Sequence, residues 1–284
     1  MKIRKTYRSS HFADLPVRVI YMEKQNTMDL HDHVFHELVI ITSGKGEHIA
    51  GEERYKVRAG DVFLLKPGTP HAYKNTIDLK LINLLYLPEE LSLPLYDLAD
   101  APGYHAFFEL EPAMRIRHGF RSKLHVDSKQ LEQLEYLAGE LEKECSEAKP
   151  GCRFRLAAIM MRLIGLLSDF YAVGDAPDRE ELMRLGNVIS YIERNYTKEL
   201  TLESLAKRAS MSPSTLHRAF TTALGESPIN YLISVRLAKA KEMLISSTLS
   251  ISEISMRTGF RDSNYFSRIF KKRTGKSPRE YRFQ

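Results

Sequence analysis

The last third of this 284-residue chain states nearly the same pattern twice, which restricts it to one small structural unit built in duplicate. Leu205, Ala206, Ser210, Ser212, Leu216, Arg218, Phe220, Gly225, Ser227, Pro228 and Tyr231 recur as Ile254, Ser255, Gly259, Asp262, Phe266, Arg268, Phe270, Gly275, Ser277, Pro278 and Tyr281. The offset is 49 residues up to Ser210 and Gly259 and 50 from Ser212 and Asp262 onward, so one residue is inserted between Gly259 and Asp262. Two copies in a basic segment suit paired docking modules rather than a solenoid.

Each copy reads as helix, tight turn, helix. In the first, Leu202, Leu205 and Ala206 form an apolar stripe at helical spacing, and the small Ser210 is expected to allow close packing. Ser212 and Pro213 mark a second start, because Ser is a good N-cap and Pro at the first helical position loses no useful donor. That helix turns Leu216, Ala219 and Phe220 inward and leaves Ser214, Thr215, His217 and Arg218 outside. In the second copy Gly259 supplies the turn and Asp262 the cap. Tyr265, Phe266, Ile269 and Phe270 are expected inside, with Ser263, Asn264, Ser267, Arg268, Lys271 and Lys272 outside. This is the pattern of a helix-turn-helix. From Leu185 to Gln284 there are 17 Lys and Arg against 8 Asp and Glu, while the rest of the chain has 25 against 28. Positive charge concentrated on the repeat points to double-stranded nucleic acid rather than to a merely solvated face.

The string G-F-R-D-S-N-Y-F-S-R-I-F-K-K-R-T-G-K-S-P-R-E-Y-R from Gly259 to Arg282 resembles the DNA-binding domain of the AraC/XylS family of bacterial transcription regulators, and the likeness covers 185–284. It implies two helix-turn-helix units joined by a long helix, here Pro228 to Ile245, about 26 Å long. Carried over by position, Ser214, His217 and Arg218 would face bases in one major groove and Asn264 and Arg268 in the next, about 34 Å away. Arg to guanine and Asn to adenine are the usual pairings, while His217 could equally meet a phosphate.

The front half is built from short β-branched or aromatic runs between Gly, Pro and Asp turns: Arg18 to Met22, Glu37 to Thr42, Gly46 to Ile49, Glu53 to Val57, Asp61 to Leu65 and Leu79 to Leu87. Many short strands suggest a sandwich or barrel. Within them stand His31-x-His33-x-x-x-Glu37, reaching Gly44, and Gly60-Asp61 through Lys66-Pro67-Gly68-Thr69-Pro70-His71 to Asn75. Two His one residue apart share a strand face, and Glu37 and His71 can converge beside them. Imidazole with carboxylate suits a borderline divalent metal, and the same four residues can equally be hydrogen-bonded pocket groups. His36 and His48 have no partner at a telling spacing and read as surface or packing residues.

The two motifs resemble those of the cupin superfamily, which implies a small β-barrel, with Lys66 standing where that pattern usually has Pro. Such a barrel would use His31, His33, Glu37 and His71 either to bind an effector or to hold a metal. The strings H-D-H-V-F-H-E-L-V-I-I-T-S-G-K-G and L-K-L-I-N-L-L-Y-L-P are similar to the rhamnose-responsive branch of the AraC/XylS family and imply a sugar effector, with Phe35 or Tyr73 alongside. The resemblance makes the chain an effector-responsive activator of carbohydrate-use genes that also meets RNA polymerase. It needs no cofactor, and a divalent metal in the barrel stays open. A metal-dependent cupin enzyme fused to a DNA-binding domain is the alternative.

Between these parts, Asp127 caps a helix carrying Leu131, Leu134, Leu137, Ala138 and Leu141, with Gln130 completing a capping box. After Lys149-Pro150-Gly151 a second helix, about Arg153 to Tyr171, presents Ala157, Met160, Met161, Ile164, Leu167 and Phe170. The hairpin can cap the barrel. The family resemblance implies instead a homodimer contact through exposed leucines of the first helix. Ala172 to Asp178 reads as a linker. The expected organisation is α+β and multidomain: a cupin-like sensor over 1–110, a helical hairpin over 111–175, and an all-α double helix-turn-helix domain over 185–284. Charges interrupt any signal-like run near Met1, no uncharged segment is long enough to cross a membrane, and Cys145 and Cys152 read as reduced thiols, so a cytoplasmic location is expected. No nucleotide-binding Gly loop and no nucleophile triad is seen.

Overall fold

A computed structural model describes residues 5–7, 12, 14–51, 53–116, 123–174 and 179–283. The chain forms two compact units, Met1–Gly186 and Asn187–Gln284.

The first unit is a cupin-like β-sheet domain, antiparallel except for one parallel pair at β1 and β3, with helices on it. Its strands are β1 (Lys5–Tyr7), β2 (Val17–Met22), β3 (Met28–His33), β4 (His36–Ala50), β5 (Glu53–Arg58), β6 (Asp61–Leu65), β7 (His71–Tyr86) and β8 (Leu124–His125). The sheet order is β1-β3-β7-β4-β6-β8, with β2 paired to β7 and β5 to β4. The two runs expected at Glu37 to Thr42 and Gly46 to Ile49 are one continuous strand. The break between them is absorbed by register shifts against β7 around Ser43 and Lys45. Gly44 sits there at φ +72°, and a Cβ on it would lie 2.1 Å from the Asp78 carbonyl oxygen, so only glycine fits. β7 likewise starts at His71, eight residues earlier than the Leu79 expected from apolar content.

Period-2 alternation turns Val39, Ile41, Phe63, Leu65, Tyr73, Leu79 and Leu81 into one buried cluster, with Met22 and Met28 packed against it. Short helices follow: α1 (Pro88–Leu91), α2 (Pro102–Tyr104), which continues as a π-helical turn through Leu110, and α3 (Glu111–Arg115). The hairpin is α4 (Ser128–Glu147) and α5 (Cys152–Val173). Asp127 caps α4, and the capping box with Gln130 is formed in both directions, at 2.8 and 3.0 Å.

Two expectations fail here, the exposed leucines and the start of the linker. Leu134, Leu137 and Leu141 are buried against their own unit, where α4 packs on α5 and β2, and Leu131 is half-buried, so none is an exposed leucine. α5 is long and apolar in composition, yet Arg153, Arg155, Arg162 and Asp169 leave it no uncharged stretch of membrane-spanning length, as the sequence reading has it. Its inward side, with Leu156, Met160, Leu163 and Leu167, packs on α4 and α2 as a core helix does. Ala172 and Val173 are still helical, so the linker cannot begin before Gly174, and 175–178 lie outside the described residues.

A helix not foreseen, α6 (Arg179–Asn195), spans the boundary between the units. The second unit continues with α7 (Leu202–Arg208), α8 (Pro213–Leu224), α9 (Pro228–Ser246), α10 (Ile251–Arg257), α11 (Ser263–Thr274) and α12 (Pro278–Arg282). The duplication extends to packing. Phe220 meets Tyr231 edge-on at 5.6 Å, and Phe270 meets Tyr281 the same way at 5.4 Å. Gly225 and Gly275 close α8 and α11 at φ +78° and +80°, and Ser227 and Ser277 cap the next helix in each copy. α9 runs 19 residues, about 28 Å, and gives Leu237, Ala240 and Leu244 to the core around Phe266 and Phe270.

Candidate functional site

The turns that set the two outer helices are alike in geometry and different in residue. Ser210 is not a packing residue; it is exposed at φ +54° and does the work that Gly259 does at φ +85°. The same six-residue closure follows in both copies, Met211 N–H to the Ala206 carbonyl and Phe260 N–H to the Ser255 carbonyl, each 3.0 Å. Gly259 is the more demanding position, because a Cβ there would stand 2.6 Å from the Tyr196 carbonyl oxygen. Directly after Phe260 comes the inserted residue, Arg261, whose guanidinium pairs with Glu199. An open groove of about 820 Å³ lies beside it, with Arg236, Arg261 and Arg268 in its wall.

On α8, Ser214, His217 and Arg218 are exposed as expected. Thr215 is half-buried, and its hydroxyl lies 2.8 Å from that of the cap residue Ser212, so it serves the helix start rather than an open face. On α11, Asn264, Arg268, Lys271 and Lys272 are exposed, while Ser263 and Ser267 are half-buried. Tyr265, expected inside, is 38% exposed. It occupies the position of Thr215 in the first copy, at the edge of the buried stripe, and the Arg268 guanidinium lies 5.6 Å above its ring. That stacking holds a cation in place at little cost in side-chain freedom. Lys271 and Lys272 stand in the last turn of α11, where they also offset the helix dipole. The outer faces of the two copies thus differ while their scaffolds match.

In the barrel, the structure brings together all four residues picked from the two motifs. β1 and β7 flank β3, and the register sets His31 opposite His71. His33 Nε2 is 2.9 Å and His71 Nε2 3.4 Å from Glu37 Oε2. The imidazoles of His31 and His71 are 4.1 Å apart. Each ring uses Nδ1 on a backbone carbonyl two residues away: His31 on Asp29 at 2.9 Å, His33 on Phe35 at 2.7 Å and His71 on Thr69 at 3.0 Å. This fixes ring orientation and turns Nε2 of His33 and His71 toward the Glu37 carboxylate. Burial pushes the Glu37 carboxyl up, but the two imidazoles beside it outweigh that and hold it well below the usual carboxylate range. Burial lowers His31, with the neighbouring His71 adding to the effect.

The donor atoms of His33, Glu37 and His71 lie within 4.8 Å of one another, and His31 flanks that cluster. Two imidazoles and a carboxylate, oriented by backbone carbonyls, fit a borderline divalent cation. Lys66, at the departure from the cupin pattern, points its ammonium at Glu109, 2.6 Å away.

The cluster closes one side of a cavity of about 170 Å³. Its other walls include Phe35 and Tyr73, as expected, and Ile20, Met22, Met28 and Asn83, which sequence reasoning missed. Asn83 had a legible signal: on β7 it shares the inward period of Leu79 and Leu81 and is the polar member of that row. His48, read as a surface or packing residue, is fully buried against Phe63 and Tyr73 and packs in the core. His36 is half-buried and stacks on Tyr86 at 5.2 Å.

Comparison with known proteins assigns both halves. Residues 16–164 match a family described as an AraC-like ligand binding domain, and residues 205–284 match a helix-turn-helix domain family. The HTH-type transcriptional activator RhaR of Salmonella schwarzengrund is 30% identical over 259 residues, covering 91% of this chain and 88% of that one. RhaR of Enterobacter is 28% identical over the same shares. Among solved structures, the C-terminal domain of AraT, a response regulator from Geobacillus stearothermophilus, is 40% identical with a TM-score of 0.34, covering 35% of this chain and 83% of that one.

Proposed function

Because the chain belongs to the AraC family of transcription regulators, with a DNA-binding unit and a ligand-binding unit and no call for an enzymatic role, we propose that it is a cytoplasmic activator of carbohydrate-use genes whose grip on DNA is biased by a small sugar in the barrel cavity. One observation carries this reading: the buried imidazole-carboxylate cluster lines a partly apolar cavity in the same chain as two exposed, non-identical recognition faces. A cavity of about 170 Å³ is smaller than the roughly 300–1,000 Å³ typical of drug-sized ligands, which favours a single sugar ring. Ser214, His217 and Arg218 on α8, with Asn264 and Arg268 on α11, meet base edges; Lys271 and Lys272 meet phosphates. Thr215, Ser263 and Ser267 support these faces from the helix starts and flanks. His31, His33, Glu37 and His71 bind the effector. A second copy of the chain and RNA polymerase are its protein partners. With the α4 leucines buried, the homodimer contact falls to exposed side chains such as Tyr136 and Phe154, 62% and 80% exposed.

The mechanism is linkage. A sugar that binds better to the DNA-competent arrangement strengthens DNA binding, and DNA strengthens sugar binding by the same factor. The test is a thermal-shift screen of monosaccharides on the full chain, followed by promoter binding with and without any hit. A sugar at a hundredfold excess over its Kd stabilises by about 2.7 kcal/mol, which is several degrees of Tm for a unit of this size. No shift with any sugar, or a hit that leaves promoter affinity unchanged, would sink the proposal.

The donor chemistry of His33, Glu37 and His71 favours a second reading in which the barrel also holds a divalent cation. When bound, such a cation would act as a Lewis acid toward ligand hydroxyls. Elemental analysis of the purified chain should then find close to one equivalent of a first-row metal, lost in His71→Gln. Metal below a tenth of an equivalent, or unchanged by that substitution, rules the second reading out.

A further inference from the structure

Among the described residues, the uncharged polar side chains of Tyr73 and Asn83 each bring to the cavity wall a buried atom that the fold leaves without a hydrogen bond. Tyr73 is 3% exposed, and its hydroxyl has no partner among the described residues. Asn83, on the same strand, has a buried Oδ1 that is likewise without one. Both residues line the cavity that Glu37 and His71 close. Buried polar groups are ordinarily satisfied by protein, water or a bound group, so polar atoms left over in a cavity wall call for a partner inside it. Their chemistry is restrictive. An amide oxygen and a carboxylate are acceptors only, while a tyrosyl hydroxyl both donates and accepts. Asn83 Oδ1 and Glu37 therefore call for hydrogen-bond donors, and a ligand hydroxyl suits all three groups because it can also accept from Tyr73. Carboxylate or phosphate oxygens would bring acceptors to Asn83 Oδ1 and Glu37, and a second negative charge beside the buried Glu37 in a medium of low dielectric. Ile20, Met22, Met28 and Leu85 supply the apolar wall that the C–H face of a sugar ring requires.

We infer that Tyr73 and Asn83 are the specificity residues of the barrel and that they select a neutral, polyhydroxylated single-ring ligand against its acidic and phosphorylated counterparts. This rests on the reading of the cavity as the effector site. Ligand hydroxyls donate to Asn83 Oδ1 and Glu37 and exchange a hydrogen bond with Tyr73. In the absence of ligand the Tyr73 hydroxyl is buried without compensation, so Tyr73→Phe should leave the unliganded protein as stable as the parent or more so. An affinity loss in that variant is then not a folding defect.

The experiment is isothermal titration of the full chain with L-rhamnose, L-fucose and D-xylose as neutral probes and with D-galacturonate and D-glucose 6-phosphate as anionic ones. Expected are binding of at least one neutral sugar, no binding of the anionic probes, and Kd at least tenfold weaker in Tyr73→Phe and in Asn83→Leu with unliganded Tm preserved. A neutral sugar that binds both variants as it binds the parent, yet is lost in Glu37→Gln, overturns the inference and leaves the cavity as the site. So does an anionic probe that binds as tightly as the neutral ones. A sugar that binds undiminished in Glu37→Gln as well, or no binding by any probe, overturns both.

Discussion

Replacing Arg115 with methionine is expected to destabilise the barrel unit by about 3–5 kcal/mol, the usual cost of removing one member of a buried ion pair. Glu111 and Arg115 sit one turn apart on α3, 0% and 1% exposed, and are joined by a salt bridge. The Arg115 guanidinium also lies 4.5 Å above the Phe63 ring, and its carbonyl accepts from the Tyr55 hydroxyl. Burial already pushes the Glu111 carboxyl up, and Arg115 is what opposes that push. Without the arginine the carboxyl rises further. A carboxyl raised in the folded state holds its proton more tightly there than in the unfolded chain. Between the unfolded value, about 4.3, and the folded one, stability therefore falls as pH rises. The deficit of Arg115→Met against the parent should be largest near neutral pH and shrink toward pH 4. Adding Glu111→Gln should restore part of it at neutral pH. Urea unfolding of the three proteins at both pH values is the measurement, and a deficit that does not vary with pH would show that lost packing, not the stranded carboxylate, sets the cost.

Much of this was readable from the residues because local chemistry and global fold agree. The caps at Asp127, Ser212, Ser227, Asp262 and Ser277, the glycines at 225 and 275, and the aromatic pairs 50 residues apart all follow from short-range rules, and the structure places each as those rules require. The barrel cluster was readable because the register between β3 and β7 depends on the same period-2 pattern that exposes His31 and His33 on one face. What was missed depends on distant partners. No window of sequence says that the α4 leucines face β2 and α5. The continuity of β4 rests on a carbonyl of Asp78 that leaves room for glycine alone at position 44. Glu111 and Arg115 stand four residues apart in the chain, and only the fold buries them. α6 is a different case: Leu182, Leu185, Val188, Ile189 and Ile192 keep helical spacing and are all buried, so its signal was present and was masked by the expectation of a linker just before it.

Arg218→Ala and Arg268→Ala should each weaken specific DNA binding by about 1–3 kcal/mol, roughly 5- to 150-fold in Kd. The two arginines stand on separate helices with separate caps, and Arg268 alone is stacked on a tyrosine. Independent sites add, so the double variant should lose about 2–6 kcal/mol. The losses should not be equivalent in kind. α8 offers Ser214 and His217 beside its arginine, whereas α11 offers Asn264. Each single variant should therefore relax discrimination at its own block of base pairs, the two blocks lying about one helical turn of DNA apart. Lys271→Ala is the contrast: it should weaken all sequences alike and reduce the salt dependence of binding by about one phosphate contact. The measurement is a titration series, at two salt concentrations, on DNA enriched by the parent chain from a random pool. Two arginine variants that relax the same base pairs would mean that one recognition helix reads DNA and the other only steadies it. Affinity unchanged in both would remove α8 and α11 from the interface altogether.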